Sequence, residues 1–92
     1  MRFAWDPRKA DANLRVHGVR FAEAVTVFED AFALTQEDPA VGDEERFVSL
    51  GLSDEANLLV VVYTYREPDM IRVISAWKAD KRERERYEEG RR

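Results

Sequence analysis

Basic side chains are the residues of this sequence whose types and spacing best fit a chemical site. Arg46, Arg66, Arg72 and Lys78 lie in or beside apolar segments of alternating pattern. Cations gathered around a scissile phosphodiester neutralise its developing negative charge while a second group moves a proton. Charged residues also occur at the edges of sheets, where they discourage pairing with other sheets. The residue types alone leave both interpretations open.

Other kinds of site find little support. The chain has one histidine, His17, and no cysteine, and its carboxylates lack the spacing of known metal motifs, so we expect no metal centre and no cofactor. The glycines are isolated, which argues against a phosphate-binding glycine loop. His17 is either a general acid or base, or a residue that stabilises the last turn of a helix.

Length and charge indicate one small acidic domain. The 92 residues, 45% of them hydrophobic, suit a single domain over residues 1–92. Residues 1–77 carry 8 basic and 14 acidic side chains, whereas residues 78–92 carry 7 and 5. The acidic excess in residues 1–77 argues against broad capture of nucleic acid and is compatible with a local basic patch. Without cysteine, signal peptide or a long apolar run, we expect a cytoplasmic protein with no membrane segment.

Hydrophobic periodicity predicts the elements that position these side chains. "RFAW" is predicted as a strand, followed by a helix that begins at Asp6 and Pro7 and ends at Gly18. A second helix is expected over residues 21–30, because residues 21, 24, 25 and 28 form one apolar face. Four strands of period two follow: "FALTQE", "RFVSLGLS", "NLLVVVYTYR", which should be central, and "MIRVISAWK". Residues 37–45 are expected to connect strands.

A charged terminal helix is predicted over residues 79–90 from the capping-box spacing of Asp80 and Glu83. Tyr87 is its one large apolar side chain, so we expect the helix to rely on weak ion pairs between side chains four residues apart, and to be mobile without a partner. The elements together predict an α+β fold of order β-α-α-β-β-β-β-α, with helices packed on a mostly antiparallel sheet.

Alternation divides the side chains of the last strand between two faces. The first set is expected to contain Arg72, Ile74, Ala76 and Lys78, and the second Ile71, Val73, Ser75 and Trp77. On this basis Trp77 is an ordinary apolar residue at a strand end. Tyr63 and Tyr65 share a face of the central strand, where they either pack or present hydroxyl groups to a site.

Four segments together make the chain resemble, nearly end to end, the BrnT toxins of bacterial type II toxin–antitoxin systems: "FAWDPRKADANLRVHGVRFAEAVTVFEDAFALTQED", "ERFVSLG", "LLVVVYTYR" and "IRVISAWKADKRERERYEE". The resemblance implies a fold like that of the RelE ribonuclease toxins and a metal-independent endoribonuclease activity on RNA that inhibits translation. It also implies neutralisation by a BrnA-like antitoxin with a ribbon-helix-helix DNA-binding domain, in a 2:2 or similar heteromer. Operator DNA would be contacted only through that antitoxin.

One position departs from the family pattern. The family's strand reads "ISARKA", whereas this one reads "ISAWKA", with Trp77 in place of arginine. If that arginine binds phosphate, its loss removes a charge-assisted contact. We expect a site of Arg46, Arg66, Arg72 and Lys78 around Trp77. Two functions stay open, an active toxin or a catalytically impaired homologue that binds the antitoxin and helps regulate its operon, and the tryptophan is either natural or selected against toxicity.

Overall fold

The structure is a computed structural model that describes residues 1–38 and 44–91. Its strands are Arg2–Ala4 (β1), Leu34–Asp38 (β2), Arg46–Leu52 (β3), Leu58–Arg66 (β4) and Met70–Lys78 (β5); its helices are Pro7–His17 (α1), Phe21–Ala24 (α2) and Lys81–Gly90 (α3), with a 3-10 helix at Val25–Glu29. The predicted order β-α-α-β-β-β-β-α is confirmed. The middle of the predicted connection over residues 37–45 lies outside the described residues. None of the described helices is long and apolar enough to cross a membrane.

The strands form one mixed sheet in the order β1-β5-β4-β3-β2. β1 pairs in parallel with β5, and the other neighbours are antiparallel. β4 is central, as its run of valines predicts, and it is buried from Leu58 to Thr64. A strand covered on both faces accommodates continuous apolar sequence, because each side chain finds an apolar environment whichever way it points.

α1 begins and ends where the sequence predicts. Asp6 caps its start by accepting a hydrogen bond from the N–H of Arg8 at 2.9 Å, and Pro7 occupies the first turn, where its missing N–H costs nothing. Gly18 ends the helix with a φ of 70°, and its N–H donates to the carbonyl of Leu14 at 2.9 Å. Glycine adopts this left-handed conformation without steric cost.

The second predicted helix is only partly α-helical. The sequence predicts one helix over residues 21–30, but the α-helix stops at α2 and the chain continues as a 3-10 helix. Three consecutive β-branched residues, Val25, Thr26 and Val27, disfavour the α-helix, and the hydroxyl of Thr26 donates to the carbonyl of Glu23 at 2.7 Å. As a result Val27 is fully buried, whereas Val25 is only partly buried.

Both faces of the sheet pack against helices. α1, α2 and the 3-10 helix cover what we call the helical-pair face, whose buried residues include Leu59, Val61, Tyr63, Ile71, Val73 and Ala76. α3 covers part of the opposite face, which we call the terminal-helix face, where Leu50, Leu58 and Val60 pack around Tyr87 with Trp77 partly buried against them. Successive residues of β4 therefore enter two separate apolar clusters.

α3 is anchored by its single large apolar side chain. The ion pairs among the described residues all lie elsewhere, so the predicted reliance of this helix on ion pairs is wrong. Exposed Lys, Arg and Glu side chains stay hydrated, and pairing them contributes little. Tyr87 is instead 3% exposed, and its hydroxyl donates to Asp30 Oδ2 at 2.6 Å. The capping box of Asp80 and Glu83 begins the helix as predicted.

The carboxylate of Asp30 joins α3 to the rest of the fold. Besides Tyr87, it accepts hydrogen bonds from the N–H of Leu52 at 2.8 Å and the N–H of Phe32 at 2.9 Å. Burial raises the pKa of Asp30, but these hydrogen bonds and the positive charge of Arg91 outweigh burial and hold the pKa below its ordinary value of 3.8. The stabilisation is therefore present above about pH 3.8 and is lost as the pH falls through the folded-state pKa.

Replacing Tyr87 by Phe keeps the ring and removes the hydroxyl group. We expect the free energy of unfolding near neutral pH to fall by about 1–3 kcal/mol, because the Asp30 carboxylate loses a charge-assisted hydrogen bond. Urea unfolding of both proteins over a series of pH values measures the difference, which should shrink below about pH 4 as Asp30 becomes protonated. A difference that stays constant on acidification would contradict this role of Asp30.

Candidate functional site

An irregularity in β5 breaks the alternation of its side chains. Val62 of β4 pairs with Ser75, but the next residue, Tyr63, pairs with Val73. Ile74 is therefore an extra residue in β5, which makes this position a β-bulge. Beyond a bulge of one residue, the side chains of a strand continue on the face opposite to the one that strict alternation predicts.

The bulge brings Trp77 and Arg72 to the same face. Trp77 pairs with Val60, and Arg72 pairs with Thr64. Val60 and Thr64 are four residues apart in β4, so both lie on the terminal-helix face. The predicted alternation, which separates Arg72 from Trp77 and groups the tryptophan with Ile71 and Val73, is therefore wrong, because strict period two does not allow for an extra residue.

Asn13, in the middle of α1, holds β5 at this point. Its Nδ2 donates to the carbonyl of Ala76 at 2.8 Å and to the carbonyl of Val19 at 2.9 Å. Its Oδ1 accepts from the N–H of Ala76 at 3.1 Å and from the hydroxyl of Ser75 at 3.2 Å. β1 pairs only with residues 70–72, so this amide takes the place of a neighbouring strand. Asn13 is 6% exposed, and these hydrogen bonds satisfy a polar group that is otherwise costly to bury.

Arg46 and Arg72 flank the central strand on the terminal-helix face. Arg72 pairs with Thr64 from β5, and the register of β3, in which Phe47 pairs with Tyr63, places Arg46 opposite Thr64 from the other side. Two strand spacings separate their backbones by about 10 Å, a gap that two long side chains can close around one phosphate. Both arginines are partly buried. The Nε of Arg46 is buried and donates no hydrogen bond within the part of the chain that the structure describes.

The other two predicted cations occupy different places. Arg66, the last residue of β4, is exposed and lies on the same side of the strand as Thr64; its Nη2 is 3.6 Å from Oε1 of Glu44. Lys78 pairs with Leu59, which belongs to the core of the helical-pair face. The structure thus brings the three predicted arginines and Trp77 to one face of the sheet and leaves Lys78 on the other.

A cavity of about 300 Å³ opens between the terminal-helix face and α3. We call it the Trp77 cavity. Its apolar lining is Leu34, Val48, Leu50, Val60, Val62 and Trp77, and its polar lining is Thr35, Gln36, Asp38, Glu83 and Arg86. Asp38 pairs with Arg46 across β2 and β3, so the cavity adjoins Arg46 and Arg72, which we call the arginine cluster. No group of three or more His, Asp or Glu side chains within residues 1–38 and 44–91 is arranged to hold a metal ion.

His17 lies at the edge of this region. It is the last residue of α1 and precedes the capping Gly18, where an imidazolium stabilises the exposed carbonyls of the helix end. Its ring is also 6.0 Å from the ring of Trp77, measured between centroids, with an angle of 44° between the planes. His17 is exposed, so its imidazole stands beside Trp77 on the outer side of β5.

Tyr63 and Tyr65 lie on the helical-pair face, away from the arginines. Tyr63 is 2% exposed, and its hydroxyl is 2.9 Å from Ser49 Oγ, which is 2.8 Å from Thr35 Oγ1. Burial raises the pKa of Tyr63. Tyr65 is 51% exposed and contacts the ring of Phe47 at 5.1 Å. Of the two predicted roles, packing is the one that the structure supports for Tyr63.

Sequence reasoning did not identify Asn13, Gln36 or Arg86. For Asn13 a signal exists, because it follows Ala10 by three residues, and Ala10 packs against the core. A polar residue on the inner face of a helix indicates a buried hydrogen-bonding role. For Gln36 and Arg86 no local pattern exists, since they come from distant segments that only the fold brings together.

The fold is that of a small α+β protein: a mixed five-stranded sheet has a helical pair on one face and a terminal helix on the other. The second face also holds Arg46 and Arg72, next to the Trp77 cavity. The family model for BrnT, the ribonuclease toxin of a type II toxin–antitoxin system, matches residues 5–83. The chain belongs to this family, which confirms the resemblance read from the sequence.

A solved structure with the same fold is the 1.1 Å crystal structure of the ribonuclease toxin BrnT from Brucella abortus. It is 22% identical in sequence, with a TM-score of 0.66, and the match covers 88% of this chain and 99% of that one. A comparison with curated protein sequences gives no match. The structural match confirms the predicted α+β fold.

Replacing Asn13 by Ala should lower the free energy of unfolding by about 2–4 kcal/mol, because buried groups of Ala76 and Val19 lose their partner. Leu14→Ala is the matched control, since Leu14 is the next residue of α1 and is 46% exposed; it should cost less than about 1 kcal/mol. Denaturant unfolding measures both values, and hydrogen exchange at the Ala76 amide should accelerate only in the Asn13 variant. Equal losses in the two variants would contradict the role given to Asn13.

Proposed function

We propose that this protein is a metal-independent endoribonuclease toxin that inhibits translation, with a fold of the RelE ribonuclease type, and that the arginines of the terminal-helix face form its catalytic surface. The observation that carries the proposal is the placement of Arg46 and Arg72 on either side of Thr64, next to the Trp77 cavity. Membership of a family of ribonuclease toxins supports RNA as the substrate.

Cleavage of RNA without a metal needs charge stabilisation and two proton transfers. The 2′-hydroxyl oxygen attacks the adjacent phosphorus and gives its proton to a base. The 5′-oxygen then leaves with a proton from an acid, which yields a 2′,3′-cyclic phosphate and a 5′-hydroxyl end. Guanidinium groups on both sides of the phosphate stabilise the added negative charge of the transition state. The carboxylate of Asp38, which pairs with Arg46 across β2 and β3, lines the adjoining cavity and is the proposed base.

The surroundings of Arg46 strengthen a contact between its guanidinium group and a phosphate. Its side chain is partly buried, and its Nε is shielded from solvent. Charges attract more strongly where protein replaces water around them, because the effective dielectric constant is lower. A phosphate that meets Arg46 from the open side would therefore gain more than one that meets a fully exposed arginine such as Arg66.

A second function is favoured by Trp77 itself. It stands where the family pattern has arginine, and it packs against the apolar cluster of Leu50, Leu58, Val60 and Tyr87. An uncharged ring supplies no charge-assisted contact to phosphate. On this alternative the chain is a catalytically impaired homologue that still binds the antitoxin and takes part in regulating its operon.

We also propose a BrnA-like ribbon-helix-helix antitoxin as the partner, in a 2:2 or similar complex that reaches operator DNA only through the antitoxin. Residues 1–92 would act in it as one cytoplasmic toxin domain. Two surfaces support this partner. One is α3, most of whose charged side chains are exposed, and the other is β2, an outer strand with residues 35–37 exposed. An outer strand offers unpaired backbone groups to another chain. A partner bound to both elements would cover the Trp77 cavity between them, which explains neutralisation by occlusion.

Replacing Arg46 or Arg72 by Ala should each slow RNA cleavage by about 10²–10³-fold, because each change removes a cation from the transition state. Arg20→Ala is the matched control, since Arg20 is an exposed arginine that pairs with Glu55 at 3.2 Å, away from the site. Cleavage of a labelled RNA in the presence of EDTA measures the rates and tests metal independence. Full activity of both site variants, or loss of all activity with EDTA, would contradict the proposal.

Expression of the unaltered chain without its antitoxin should arrest growth and degrade RNA, because its two partly buried arginines remain in place. Trp77→Arg adds a further cation to the face that holds Arg46 and Arg72 and should not reduce this toxicity. Growth curves and analysis of total RNA compare the two proteins at matched expression levels. A harmless unaltered chain that becomes toxic on Trp77→Arg would favour the impaired homologue.

A further inference from the structure

The Trp77 cavity has the size and apolar walls of a site for a single ring system. Its volume of about 300 Å³ lies at the lower end of the range for ligand pockets. The indole of Trp77 and the side chains of Val48, Val60 and Val62 form its apolar walls. An aromatic wall beside aliphatic side chains favours a flat, weakly polar ring, because such a ring gains from both stacking and burial.

The polar side chains of the cavity supply both donors and acceptors. The amide of Gln36 can do both, the guanidinium of Arg86 donates, and the carboxylate of Glu83 accepts. Glu83 is held in place, because its Oε1 accepts from the N–H of Asp80 at 2.7 Å. Gln, Arg and Glu are side chains that read the hydrogen-bonding edges of nucleobases.

The cavity lies within one nucleotide's reach of the arginine cluster. Val62 lines the cavity, and Thr64, flanked by Arg46 and Arg72, is the next residue of β4 on the same side. Two residues of a strand span about 7 Å, which is comparable with the distance between a phosphate and a base of the same strand. A nucleotide chain can therefore place a phosphate at the arginines and a base in the cavity at the same time.

We propose that the Trp77 cavity binds one unpaired nucleobase of the RNA whose phosphate lies between Arg46 and Arg72. Trp77 is the stacking surface, and Gln36 and Arg86 select the base. This inference rests on the proposed ribonuclease function and adds to it a determinant of cleavage preference. Stacking of splayed-out bases on aromatic side chains is the usual way in which proteins recognise single-stranded RNA. Trp77 thereby replaces the charge of the family's arginine with a contact to the base.

NMR titration with 2′-O-methyl tetranucleotides tests the site, because the methyl group blocks the attacking hydroxyl and prevents cleavage. One oligonucleotide is used for each base, together with an abasic tetranucleotide. The indole N–H signal of Trp77 should shift on binding, whereas that of Trp5, which packs on Phe21 at 5.9 Å on the helical-pair face, should not. The abasic oligonucleotide should bind at least about tenfold more weakly than the preferred one.

Substitutions in the polar lining test the selection of the base without disturbing the core. Gln36→Leu and Arg86→Gln should each change the relative affinity for the four bases by about tenfold and leave the affinity for the abasic oligonucleotide unchanged. Arg84→Gln is the matched control, because it removes the same charge from an exposed position of α3 outside the cavity lining. It should leave the ranking of the bases as it is.

The outcomes separate this inference from the function on which it rests. Equal affinity for abasic and base-containing oligonucleotides, with an unshifted Trp77 signal, would overturn the base site. Arg46→Ala and Arg72→Ala would still slow cleavage by about 10²–10³-fold if the proposed function is right. Absence of any RNA binding by the unaltered chain would overturn both. A Trp77 signal that shifts with the antitoxin but with none of the oligonucleotides would overturn the base site by assigning the cavity to the protein partner.

Discussion

The side-chain amide of Asn13 binds the outer edge of β5 beyond the end of its pairing with β1. The placement of the candidate site depends on this contact. Beyond residue 72, the outer edge of β5 would leave the N–H and carbonyl of Ala76 without partners. The amide pairs with both groups and also ties in Ser75 and Val19. A slip of one residue would exchange the two faces of the strand, so this clamp keeps Trp77 on the same face as Arg72.

The proposed binding of an anionic substrate by this acidic chain depends on the local arrangement of charge more than on net charge. The formal net charge is −4, which by itself disfavours approach of a polyanion. The bulge in β5 and the register of β3 nevertheless gather Arg46 and Arg72 around Thr64, where partial burial strengthens their attraction for phosphate. Specific cleavage of RNA needs this kind of focused site, whereas broad binding would need a wide basic surface.

The hydrogen bond between Tyr87 and Asp30 affects the candidate site indirectly, because it holds α3 in place. It anchors the terminal helix to the 3-10 helix and β3, and α3 supplies the Glu83 and Arg86 side chains of the Trp77 cavity. One wall of the cavity thus depends on a single buried tyrosine. A helix with one anchor and many exposed charges is also a surface that a partner can bind, so under the proposed function regulation and substrate binding would meet at the same place.

Local sequence was sufficient for the order of the elements, for the ends of α1, for the capping box of α3 and for the central position of β4, because caps and hydrophobic period act within one element. It was also sufficient to reveal the family. The grouping of side chains depended on the folded chain: an extra residue at Ile74 reverses the predicted faces, and nothing near it in sequence marks the bulge. Beyond the bulge, β5 is held by Asn13, which is 63 residues away in sequence from Ala76, the residue whose carbonyl it binds. Contacts over such separations, like those that bring Gln36, Trp77 and Arg86 to one cavity, exist only after the helices and the sheet have packed.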